Sequence, residues 1–89
     1  MAAEFHIHII TPDKDIYEGQ IQSLVAPAAL GYTGILANHA PYVTTLSPGK
    51  ITFRDIAGKT STFDSKGSGY LEVSDNKAVL LVDSAEPRS

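Results

Sequence analysis

The chain has 89 residues, a formal net charge of −3, 43% hydrophobic residues and no cysteine. These values confine it to one small domain that folds without disulfides or a thiolate metal site, which suits a reducing compartment. The seven Lys and Arg residues are scattered, excluding a basic patch for nucleic acid or anionic lipid, and no apolar run approaches the ~20 residues that a membrane-spanning helix needs.

The opening MAAEFHIHII lacks a basic leader, so no secretory signal is expected. Phe5, Ile7 and Ile9 alternate with His6 and His8, the period of a half-buried strand, and Thr11-Pro12-Asp13 ends it as a turn. Ile16-Tyr17 reads as a brief extended piece closed by Glu18-Gly19, and Ile21–Ala26 as a strand closed by Pro27. From Pro27 to Gly49, turn residues alternate with short apolar stretches. Gly34–Leu36 and Tyr42–Leu46 are short strands on either side of a His39-Ala40-Pro41 corner. Ile51–Ile56 alternates, Ala57-Gly58-Lys59 turns into Thr60–Ser65, and Tyr70–Val73 pairs with Ala78–Val82 across Ser74-Asp75-Asn76-Lys77. No stretch carries the apolar three- and four-residue steps of a helix. Turn signals recur about every ten residues, which predicts an all-β, flattened antiparallel β-sandwich of about ten short strands. The domain is expected over 1–83, with a short polar C-terminal tail over 84–89.

Catalytic constellations are weak. Ser47-Pro48-Gly49-Lys50, Ser74-Asp75-Asn76 and Lys59-Thr60-Ser61 imitate the three motifs of a serine penicillin-binding site. The Ser–Lys tetrad needs a helical turn, however, and Pro-Gly inside it opposes one. Gly58-Lys59-Thr60 resembles the end of a phosphate-binding loop, but Phe53 stands where the leading glycine belongs. No carboxylate pair is spaced for acid–base work. His6, His8 and His39 would form a zinc site if the corner folded over the first strand; otherwise His6 and His8 are solvated strand residues. His39 is open to two readings, a local hydrogen bond or a partner contact. Tyr32 and Tyr42 are the one candidate aromatic platform for a sugar or peptide.

The ordered motifs are more specific. Ile10-Thr11-Pro12 through Tyr17-Glu18-Gly19 is followed by Pro27, Gly31, Gly34-Ile35-Leu36 and His39-Ala40-Pro41. Then come Thr44, Leu46 and Pro48-Gly49, and finally Gly67-x-Gly69-Tyr70-Leu71-Glu72-Val73 and Asn76 with Ala78–Asp83. This series resembles the N-terminal β-sandwich domain of the ε subunit of bacterial or chloroplast F-type ATP synthase, over nearly the whole chain. The resemblance implies a non-catalytic subunit of the central stalk, without cofactor, that binds the γ subunit and rests on the c-ring. It would meet the catalytic α/β head only indirectly, bind no nucleic acid, and touch the membrane only through partner subunits. Its place would be the cytoplasmic face of the bacterial inner membrane, or the stromal face of the thylakoid. By similarity, Leu30, Gly31, Tyr32 and Thr33 would face the c-ring, and His39, Ala40, Pro41, Tyr42 and Thr44 the γ subunit.

The sequence departs from the family pattern at Ala28, usually Gly, and at Ser68, in place of the second Gly of a Gly-Gly pair. Tyr32-Thr33 stands where an acidic residue is common, so a tyrosine contact is expected in its place. Most members continue into a C-terminal helical hairpin, and a short form without that inhibitory element is expected here. The alternative reading is a stand-alone metal-binding sandwich that uses its histidines.

Overall fold

The structure, a computed structural model, describes residues 3–88. The described residues contain no helix. Seven strands follow in chain order: β1 (Phe5–Ile10), β2 (Asp15–Ala28), β3 (Gly31–Leu36), β4 (Tyr42–Leu46), β5 (Gly49–Asp55), β6 (Thr60–Ser74) and β7 (Lys77–Pro87). Three of them are long because each serves both layers of the sandwich. β2 pairs with β1 over Asp15–Ile21, then passes a register shift and pairs with β5 and β3. β6 pairs with β5 over Thr60–Ser65 and with β4 over Gly69–Val73. β7 lies against β1 at its start and follows β6 through both halves, across a shift between Lys66 and Gly69. Counting the halves of β2, β6 and β7 separately recovers the ten or so short segments expected.

The two layers enclose one core. Phe5, Ile7, Ile9, Leu71, Val73, Ala78 and Leu80 point inward from one layer, and Leu24, Ala26, Ile35, Ile51 and Phe53 from the other. The alternation in β1 is the direct cause of its orientation: Phe5, Ile7 and Ile9 are at most 2% exposed, while His6 and His8 face outward. Tyr17, Phe53 and Phe63 form an aromatic cluster inside. The Tyr17 and Phe53 rings are 4.6 Å apart, and Phe53 stacks on Phe63 at 5.9 Å. The molecule is flattened, with extents of 36 × 28 × 22 Å.

Four expectations differ from what is observed. First, β2 does not break at Glu18-Gly19 or at Pro27. Pro27 stays in register with Tyr32, and its carbonyl accepts the Ser47 N–H at 2.8 Å. β2 has already left β5 there, since that ladder ends at Val25↔Thr52, so the missing N–H of proline costs the β2–β5 ladder no bond. Second, Ser84–Pro87 is not a polar tail but the end of β7, paired with Phe63–Lys66. Ala85 is buried there, and the Arg88 N–H reaches the Thr62 carbonyl at 2.8 Å. Third, β1 and β7 pair in parallel while every other pairing is antiparallel. No hairpin joins these two strands, so no short turn dictates their direction. Fourth, Ile56 lies in the β5–β6 turn, mostly exposed, because Asp55 ends the strand. The Asp55 carboxylate accepts the N–H groups of Ala57 and Lys59, each at 2.9 Å.

Candidate docking surfaces

β3 is the last strand in the sheet order and carries one candidate surface at each end. At its start, the two-residue turn Ala29-Leu30 leads into Gly31, whose φ of 128° suits glycine. Leu30 projects fully into solvent. Tyr32 behaves differently from a free contact residue. Its ring lies over Gly49, where a Cβ would come within 2.7 Å of the hydroxyl, and that hydroxyl accepts the Lys50 N–H at 3.1 Å. Tyr32 is therefore pinned across the sheet, with 59% of its surface still open. Thr33 pairs with buried Ala26 and is half-buried, so of the four residues in this patch Leu30 and Tyr32 offer the large exposed side chains.

At the far end of β3, Ala37 and Asn38 turn the chain into His39-Ala40-Pro41. The His39 imidazole meets the Ala40 carbonyl at 2.7 Å through Nδ1, and its ring lies 5.9 Å from that of Tyr42. This local bonding shapes the corner, leaving Ala40 and Pro41 exposed. Tyr42 packs against the core, and Thr44 stands opposite buried Leu71. The outward residues of β4 are Val43, opposite Glu72 and 68% exposed, and Thr45, opposite Tyr70. The two surfaces are separated by the six residues of β3, about 20 Å of strand. Between them Gly34 faces outward, and a Cβ there would meet nothing within 4 Å.

The histidines do not converge. His6 and His8 share the outer face of β1, and Glu18 of β2 lies against both. His6 Nε2 is 2.7 Å from the Glu18 carboxylate, while its Nδ1 accepts from Gln20 at 3.3 Å. His8 Nε2 lies 3.4 Å from Asp15 and 3.9 Å from Glu18, without completing a hydrogen bond. The Glu18 carboxyl is held below its ordinary value, first by the His6 hydrogen bond and then by the charge of His8. His39 engages Tyr42 instead, and the described residues contain no group of three or more His, Cys, Asp or Glu arranged to hold a metal ion. Tyr32 and Tyr42 stand at opposite ends of β3 and form no shared platform. An open cleft of about 350 Å³ between Ile10, Pro12, Tyr70 and Leu81 has Asp83 as its one charged wall.

Comparison with known proteins agrees with this architecture. Residues 4–88 match the family described as ATP synthase, Delta/Epsilon chain, beta-sandwich domain. Relatives named ATP synthase epsilon chain include one from Dichelobacter nodosus, 34% identical over 96% of this chain and 59% of its own length. Another, from Caulobacter vibrioides, is 37% identical over 93% of this chain and 94% of its own length. The chain thus spans about three-fifths of the first relative and nearly all of the second. A chain in the Euglena gracilis mitochondrial ATP synthase, OSCP/F1/c-ring, shares the fold with a TM-score of 0.88 at 21% identity, over 98% of this chain and 55% of its own. A chain in the Tetrahymena thermophila mitochondrial ATP synthase central stalk/c-ring shares it at 0.76 and 18%, over 94% of this chain and 66% of its own. The chain belongs to the ATP synthase delta/epsilon family, of which it forms the β-sandwich domain.

Proposed function

We propose that this chain is a non-catalytic rotor subunit of an F-type ATP synthase, docked on the γ subunit and the c-ring. There it helps couple proton-driven rotation to ATP synthesis in the catalytic head. Leu30, Gly31, Tyr32 and Thr33 meet the c-ring, while His39, Ala40, Pro41, Tyr42 and Thr44 lie on the γ side, with Val43 beside them. The chain is then peripheral to the coupling membrane and held there by its partners, on the bacterial cytoplasmic face or its thylakoid counterpart.

The observation that carries this reading is the position of the two surfaces at opposite ends of one edge strand, on a body without helices among its described residues. A single closed core behind β3 resists the shear that torque imposes, because packed interiors have low compressibility. The exposed Leu30, Val43 and Pro41 are the uncharged groups that interface centres favour. The zinc and sugar readings lack the convergence of side chains that each requires.

The test is size-exclusion chromatography of the chain mixed with its cognate γ subunit. Stoichiometric co-elution is expected, through an interface of about 1,200–2,000 Å². Pro41→Asp should abolish it while the free domain stays folded, since Pro41 is exposed. Gly34→Asp adds a charge midway along β3 without a clash and should weaken it. Separate elution of folded wild-type chain and folded γ would overturn the reading.

A further inference from the structure

Asn76 makes more bonds than its turn requires. It is the second central residue of the two-residue β6–β7 turn, where Asp75 and Asn76 have φ of 51° and 60°. Positive φ at both positions defines a type I′ hairpin turn, which asparagine tolerates well. That accounts for its backbone but not for what its side chain does. The Asn76 Oδ1 accepts the backbone N–H of Asn38 at 2.7 Å, and its Nδ2 donates to the Glu4 carbonyl at 2.9 Å. Its own carbonyl accepts the His6 N–H at 3.2 Å. One residue thus joins the β6–β7 turn to the segment entering β1 and to the corner between β3 and β4.

The corner depends on this link. Asn38 itself has a φ of 62°, which asparagine adopts more readily than most residues, so the turn conformation is allowed but not fixed by its own backbone preference alone. Pro41 has no N–H to contribute, and the His39 bond to Ala40 stays within the corner. Among the described residues, the Asn38–Asn76 bond is the one hydrogen bond outside the strand ladders that ties residues 37–41 to another segment.

We propose that Asn76 is a positioning residue for docking: it holds the His39-Ala40-Pro41 corner in the conformation that meets the γ subunit. This rests on the rotor reading above. Binding to a preformed corner avoids the loss of affinity that accompanies a binding-competent state populated only in part. If release of the corner lowers that population to about a tenth, apparent affinity falls about tenfold.

Asn76→Gly isolates the effect, because glycine keeps the type I′ turn while deleting both side-chain bonds. Asn76→Asp keeps an acceptor for the Asn38 N–H and loses only the donor to Glu4. Amide exchange at Asn38, γ affinity and thermal midpoint are measured for wild type and both variants. The expected result is fast Asn38 exchange and about tenfold weaker γ binding for Asn76→Gly, at a nearly unchanged midpoint, with Asn76→Asp close to wild type in both. A merely structural residue would instead lower affinity only as the midpoint falls. Wild-type γ affinity in Asn76→Gly, or unchanged Asn38 exchange, overturns the proposal. If wild-type chain itself fails to bind γ, the rotor reading falls and takes the docking role with it, an outcome recognised because it does not depend on residue 76.

Discussion

The same substitution, Gly→Ala, should have opposite effects at Gly34 and Gly69. Gly34 faces outward from β3, its φ lies outside the left-handed region, and a Cβ would meet nothing within 4 Å. Alanine there narrows the unfolded ensemble without native strain and should stabilise by about 0.4–1 kcal/mol. Gly69 sits where β6 rejoins β7 after its register shift, opposite Val82. A Cβ there would run into the Leu81 carbonyl oxygen and come within 3.0 Å of Val82 Cγ1 and 3.1 Å of its Cα. Two of those three atoms are backbone, so no rotamer change relieves the overlap, and the strands must separate. Overpacking costs about 1–3 kcal/mol in ordinary cores; with a backbone obstacle the upper end is expected, and it outweighs the entropic gain of about 1 kcal/mol at most. The net loss at Gly69 is then about 2 kcal/mol. In a domain of this size each kcal/mol moves the thermal midpoint by about 4–8 °C. Thermal denaturation followed by far-UV circular dichroism should therefore show Gly34→Ala melting a few degrees above wild type and Gly69→Ala roughly 10 °C below it. A Gly69→Ala domain that melts at or above wild type would refute the close approach of β6 to β7 on which this rests.

Other consequences follow from the core and from the histidine face. Phe53 is 1% exposed and packs between Tyr17 and Phe63. Phe53→Ala should cost about 3–5 kcal/mol, a large part of the roughly 5–15 kcal/mol available to a domain; urea unfolding measures it, and a loss under about 1 kcal/mol would contradict the packing. The Glu18 carboxyl is held low in the folded state by His6 and His8. Its stabilisation is complete above the unfolded value of about 4.3 and is lost as pH falls through the folded value. Glu18→Gln should accordingly flatten the acid limb of the midpoint–pH curve below about pH 4.3; an unchanged limb would show that the His6–Glu18 contact contributes nothing there.

Local signals carried much of the fold. The β1 alternation, the Asp75-Asn76 turn and the Ala57-Gly58 turn were legible because each rests on side-chain period or on a residue's own φ preference. The continuity of β2 through Pro27 was not, because it depends on where β5 stops pairing, a tertiary fact that propensity does not contain. The strand at Ser84–Pro87 was hidden for a similar reason. It has no run of strand-forming apolar residues, and pairing with Phe63–Lys66 and burial of Ala85 order it. At the candidate surfaces, motif order pointed to both loops, but not to which side chains face outward. Thr44 faces inward and Val43 outward, Tyr32 is pinned to Lys50, and Leu30 is fully exposed in its turn. The tie from Asn76 to Asn38 joins residues far apart in the chain, and sequence pattern gave no sign of it.

The most direct measurement of the central claim is site-directed cross-linking in the assembled synthase. The chain has no cysteine, so Leu30→Cys and His39→Cys each place one thiol at one end of β3. With partner cysteines scanned across both subunits, the rotor account predicts that residue 30 cross-links to the c-ring and residue 39 to the γ subunit, within one complex and without exchange of partners. Both positions cross-linking to the same subunit, or neither cross-linking in an intact assembly that contains the chain, would contradict it.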